Sequence, residues 1–130
     1  MPSAYMAHAI RGPKGDDATR ADMEANNRKA CEFAARIRQA CPTLDLYCPG
    51  EHDELVQEGI ERGILTAEQI LEIDQHLVPK RDFLIVYAPD DRLSGGMLLE
   101  LHTAGRSNMP IVVTDGDLTV IMAVLGGFLR

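Results

Sequence analysis

The chain has 130 residues, 45% hydrophobic and 25% charged, which describes one domain of ordinary globular composition with enough length for a core. A formal net charge of −7 argues against binding a nucleic-acid polymer, which needs a basic face, but leaves room for a small anionic ligand held by local donors. No apolar stretch approaches the roughly 18 residues of a membrane span. The three cysteines, Cys31, Cys41 and Cys48, are odd in number and none pair at C-x-x-C spacing. With no signal peptide in view, reduced thiols and a cytoplasmic location are expected.

Residues 4 to 10, Ala-Tyr-Met-Ala-His-Ala-Ile, read as a first strand, and Gly, Pro and charge make 11 to 17 a loop. Residues 19 to 41 form a helix. Met23, Asn27, Ala30, Ala34, Ile37 and Cys41 step by three and four along one face, Arg20, Glu24, Arg28, Glu32 and Arg36 along the other, and Pro42 ends it. A short strand, 44 to 48, closes at Pro49-Gly50, and a short helical piece runs from Glu51 to about Gly63.

Thr66 and Gln69 make a capping-box pattern for a helix that reaches Val78, where Pro79 stops it. Ile70, Ile73, Asp74 and Leu77 share a face of that helix, so a carboxylate stands in an apolar arc. The apolar run 83 to 88 is a third strand, and a helix runs from Ser94 to about Arg106. Residues 111 to 113 are a fourth strand and 114 to 117 a turn. Residues 118 to 125, apolar all round, read as a buried helix. This alternation predicts an α/β domain over 1–130. It would be three-layered and flavodoxin- or Rossmann-like, with four or five parallel strands and helices on both faces.

The segment Ser94-Gly-Gly-Met-Leu-Leu-Glu100 follows a buried strand and opens a helix, the side of such folds where ligands sit. A helix start offers unpaired amides and a positive dipole end to an anion. Glu100 is either a solvent-facing helix residue or a reactive carboxylate. Asp74 is either a cap for a neighbouring loop or its partner. In one partly dry pocket two carboxylates have their pKa values pushed apart, which suits cleavage at an anomeric carbon. Ser94 is a helix N-cap whose hydroxyl also suits phosphate. Arg11 can pair with phosphate bidentately. Tyr5 and His8 alternate faces, so burial alone explains either. Glu51-His52 and His102 lack metal-ligand spacing, and no metal is expected. The glycines match neither G-x-G-x-x-G nor a Walker loop.

Three segments resemble one family. Tyr5-Met-Ala-His-Ala-Ile-Arg-Gly12 is similar to the first strand and loop of the 2′-deoxynucleoside 5′-phosphate N-hydrolases, of the nucleoside 2-deoxyribosyltransferase superfamily. The helix bearing Asp74, with Asp82 eight residues on, is a second likeness. Ser94, Gly96 and Glu100 resemble the family's Ser-x-Gly-x-x-x-Glu run. The likeness spans residues 4 to 113.

The resemblance implies that Glu100 attacks C1′ of the sugar, that Asp74 orients the sugar and assists protonation of the leaving base, and that Tyr5 holds the nucleophile. It places Arg11, Gly12, Ser94, Gly96 and the residues His8, Ala9 and Ile10 at the substrate, with Ser94 on the 5′-phosphate. The transferases commonly carry Asp where Ser94 stands, and a hydroxyl accepts a phosphate that a carboxylate would repel. His8-Ala9 replaces the usual Gly-Ser pair, so one phosphate-binding hydroxyl is missing. Asp82, at the far end of its strand, reads as structural. The expected activity is hydrolysis of the N-glycosidic bond of a (deoxy)nucleoside 5′-monophosphate. The expected setting is a cytoplasmic homo-oligomer without cofactor, metal or membrane. The rivals are a nucleoside 2-deoxyribosyltransferase exchanging bases and a non-catalytic nucleotide-binding module.

Overall fold

Phe83–Tyr87 is buried at all five positions, as a strand covered on both faces must be. The computed structural model describes residues 1–10 and 17–128. In it this run is β3, lying between β1 (Ser3–His8) and β4 (Ile111–Thr114), with β2 (Asp45–Tyr47) outside β1. Every pairing is parallel, and the order is β2-β1-β3-β4. The helices are α1 (Arg20–Ala40), α2 (Asp53–Glu61), α3 (Ala67–Leu77), α4 (Gly95–Arg106) and α5 (Thr119–Phe128).

The period-two alternation of the strands divides the core. Ala4, Met6, Phe83, Ile85 and Val112 pack with Ala30, Phe33 and Ile37 of α1 and Ile121 and Leu125 of α5. Tyr5, Ala7, Leu84 and Val86 pack on the other face with Val78 after α3 and Met97 and Ala104 of α4. The three-layer α/β architecture with a four-stranded parallel sheet is therefore present.

Local signals explain the boundaries. Thr19 and Asp22 form a reciprocal capping box at α1, and Thr66 and Gln69 form the expected one at α3. Asp82 has the structural role read for it: its carboxylate accepts the Ser3 backbone N–H at 2.8 Å, tying the entry of β3 to that of β1. At the end of α1, the Arg38 guanidinium donates to both Glu51 oxygens at 2.6 Å and to the Leu46 carbonyl at 2.9 Å. This clamps α1 to β2 and to the turn after it. Arg38→Gln is expected to cost about 1 kcal/mol in urea unfolding at neutral pH, a difference that shrinks in 1 M salt.

Three expectations need correction. β1 ends at His8, so Ala9 and Ile10 lie beyond the strand. The helix at 118–125 is not buried all round: Ile121 and Leu125 face the core, while Val120 and Met122 are exposed, because α5 covers the sheet from one side only. The apolar arc of α3 is also shallower than its periodicity suggests, since Ile73 is 50% exposed and no residue of this helix is fully buried. Phe33, absent from the expected face of α1, is buried there and stacks on Tyr87 at 4.4 Å.

Candidate active site

Tyr5 sits in the middle of β1 and is fully buried beneath α3 and α4. Its register partner is Tyr47 of β2, so the two rings fall on one face and stack at 5.3 Å. His52 continues the stack, 5.2 Å from Tyr47. The Arg81 guanidinium lies 5.4 Å from the Tyr47 ring and bridges Asp45 at 3.1 Å.

Glu100 reaches this layer from α4. It shares that helix's buried face with Met97 and Ala104, three and four residues away, and is only 7% exposed. Asp74, half-buried, comes from α3. The Thr103 hydroxyl of α4 donates to the Gln75 side-chain carbonyl, holding the two helices together beside the pair. The structure thus brings together the three residues, Glu100, Asp74 and Tyr5, that the sequence singled out for chemistry. Each shifts the proton affinity of at least one of the others.

Burial pushes the Glu100 carboxyl up to about 8; the Tyr5 hydroxyl opposes this and the Asp74 charge adds to it. Burial raises Asp74 to about 6, against the pull of Tyr5 and His52. Tyr5 itself is driven strongly upward by burial and then by the two carboxylates, so it stays a neutral hydroxyl. Glu100 Oε2, Tyr5 Oη and the Gln75 amide nitrogen are buried without a hydrogen-bond partner among the described residues. Tyr5 is thus near enough to favour the ionised carboxylates while making no hydrogen bond of ordinary geometry. Buried polar atoms are rarely left this way, and three in one place amount to an unfilled polar site.

The remaining candidates are spread around it. Ser94 is the N-cap of α4, its Oγ accepting the Met97 N–H at 3.3 Å, and Gly96 lies in the first turn, where an added Cβ would stand 3.5 Å from Leu71. Ser94→Ala is expected to lower stability by about 1 kcal/mol through the lost cap, read by thermal unfolding without ligand.

His8 is on the opposite face of the sheet from Tyr5. The Gly50 N–H donates to its Nε2 at 2.9 Å, which leaves the proton on Nδ1, 3.3 Å from the Ala9 carbonyl. Burial holds its pKa below the usual histidine range. The Ile10 carbonyl accepts from the Asn26 amide at 2.9 Å. Arg11 and Gly12 lie outside the described residues. Among those described, no three His, Cys, Asp or Glu side chains converge as a metal site, and no helix is long and apolar enough to cross a membrane.

Sequence reasoning missed Tyr47 and Arg81. Tyr47 joins the site only because β2 pairs with β1 in the register that sets it against Tyr5, and that pairing is long-range information. His52 was visible as a candidate, without its place in the stack. No family model, no curated protein and no solved structure matches the chain.

Proposed function

We propose that the chain cleaves the N-glycosidic bond of a (deoxy)nucleoside 5′-monophosphate, releasing free base and (deoxy)ribose 5-phosphate. The observation that carries the reading is the Glu100–Asp74 carboxyl pair around the buried, unpartnered Tyr5 hydroxyl, with affinities split near 8 and near 6. Between those values the pair holds one proton, which is the state a displacement at C1′ uses.

Glu100, with the higher affinity, holds that proton at rest; in the productive arrangement it has passed to Asp74, and the Tyr5 hydroxyl donates to the ionised Glu100. Glu100 forms the ester bond to C1′ as the C1′–N bond breaks, and Asp74 gives its proton to the departing base. Water then attacks C1′ of the ester, Asp74 takes its proton, and Glu100 leaves as a carboxylate. The pair returns to its starting state, with retention at C1′ and no cofactor in the balance. Buried Tyr5 and partly buried Tyr47, stacked on each other, offer an apolar wall beside the sugar.

The resemblance supplies the substrate class, with Ser94, Gly96 and Arg11 as nucleotide contacts. A cytoplasmic homo-oligomer belongs to the same reading. The oligomer is supported by the exposed Ile111 and Val113, which lie on the face of edge strand β4 turned toward the α4 side.

The test is release of free base from a panel of ribo- and deoxyribonucleoside 5′-monophosphates, with the two retaining outcomes separated by adding a second base. Base release without exchange supports the hydrolase, and exchange makes the chain a transferase. Tight binding with neither reaction makes it a binding module.

A further inference from the structure

In the order β2-β1-β3-β4 the chain leaves β1 toward one edge of the sheet and β3 toward the other, so the switch point lies between these two strands. The crevice outside the carboxyl ends of two such strands is where open parallel sheets bind ligands. Here a cleft of about 180 Å³ is floored by His8 from the end of β1 and Tyr87 from the end of β3. Asn26 and Lys29 from the start of α1 form one wall, and Asp90 and Arg92 from the loop after β3 form the other. Full small-molecule pockets run to roughly 300–1,000 Å³, so this volume suits one substituent of a ligand rather than the whole of it.

The character of that substituent follows from the charges. Lys29 and Arg92 are exposed, and neither makes an ion pair with another described residue. The acid at the cleft, Asp90, has its carboxylate turned back onto the loop, where it accepts the Arg92 backbone N–H at 3.2 Å. In a chain of net charge −7, two cations without an ion pair among the described residues thus line the switch-point crevice. His8 is neutral there and adds no charge of its own. Behind it the Asn27 carboxamide is 5% exposed, and both its polar atoms lack a partner among the described residues. An alanine Cβ at Gly50 would stand 3.2 Å from Asn27 Oδ1 and 3.0 Å from His8 Cε1, so these groups converge on one spot. Tyr87 is held rigid by Phe33 against its ring.

We infer that this crevice receives a phosphate group, with Lys29 and Arg92 as its recognition pair, so that a preference for a nucleotide over a nucleoside lies chiefly with them rather than with Ser94. The identity of the ligand rests on the function proposed above; the anion specificity of the crevice does not. Both cations reach a phosphate from exposed positions, so binding is also expected to weaken with salt.

The experiment titrates the full chain with inorganic phosphate, a nucleoside 5′-monophosphate and the matching nucleoside, by calorimetry. The proteins compared are wild type, Lys29→Met, Arg92→Met, the double variant and Ser94→Ala. Each single change is expected to weaken phosphate and nucleotide binding about tenfold and the double about a hundredfold, with nucleoside binding unchanged. Unchanged thermal unfolding of the double variant shows that its fold is intact, since both side chains are exposed.

The inference falls if wild type binds no phosphate at millimolar concentration, if the double variant binds as wild type does, or if Ser94→Ala loses more nucleotide affinity than the double. Phosphate binding that depends on Lys29 and Arg92, in a protein that releases no base from any nucleotide, upholds the crevice and removes the glycosidase.

Discussion

Glu100→Gln is expected to cut base release from the preferred nucleoside 5′-monophosphate by about a thousandfold or more, roughly 4 kcal/mol of lost transition-state stabilisation, while nucleotide affinity stays within a few-fold. The amide keeps the size of the side chain but cannot form an ester to C1′. The loss therefore falls on kcat rather than on binding.

Wild type should show a bell-shaped pH dependence. The acid limb, near 6, marks loss of the carboxylate needed for attack as the pair takes up its second proton. The alkaline limb, near 8, marks loss of the proton needed by the leaving base. Turnover that survives in Glu100→Gln, or a profile flat between pH 5 and 9, removes Glu100 from the chemistry.

The same residue governs the second expectation, which concerns folding and holds whatever the substrate. Glu100 binds its proton more tightly folded than unfolded, about 8 against an ordinary 4.5. Between those values the native state carries a proton that the unfolded chain has released, so stability falls as pH rises through the window. Its contribution is complete below the unfolded value and gone above the folded one. At about 1.4 kcal/mol per pKa unit, the upper limit of this loss is about 4 to 5 kcal/mol.

Asp74 acts in the same direction over the lower part of the range, up to about 6. The Arg38–Glu51 pair acts oppositely, because Arg38 holds the Glu51 carboxyl below its usual range; that effect is confined to pH below about 4.5. The protein is therefore expected to be more stable at pH 5.5 than at pH 8.5. Glu100→Gln, neutral at both, should lose less stability than wild type between pH 5.5 and pH 8.5, so that its margin over wild type grows across that range, read as urea midpoints. Parallel pH slopes in the two proteins would show that Glu100 is not buried as described.

Much of the fold was legible because its signals are local. Thr66 and Gln69 mark a helix start, Pro42 and Pro79 mark ends, and the unbroken apolar run of β3 marks a covered strand. The site was legible where spacing alone carried it. Glu100 lies six residues past a helix-capping serine, on the stripe that faces the sheet.

What stayed hidden depends on how elements meet. A helical wheel places Asp74 in an apolar arc, but it does not reveal that α3 rides high enough to leave Leu71 and Ile73 in solvent. Alternation puts Tyr5 and His8 on opposite faces. It cannot show that Tyr47 will stand beside Tyr5, or that His8 will accept a bond from Gly50 42 residues away. Residues 118 to 125 look buried by composition, yet a helix on one face of a sheet buries the side turned to it.

The parallel pairing of β1 with β3 also sets the order in which the protein comes into being. Ser3 is joined to Asp82, and Tyr5 lies against Leu84, each contact spanning 79 residues. During synthesis, β1, α1 and β2 emerge early and can close on one another. The other flank of β1 stays open until Phe83–Tyr87 has left the ribosome, and Tyr5 has no Glu100 above it until α4 follows. Contacts of such separation slow folding and leave an unpaired strand edge in the waiting intermediate. Tyr5, part of the candidate site, thus stays uncovered until the chain as far as α4 has been made.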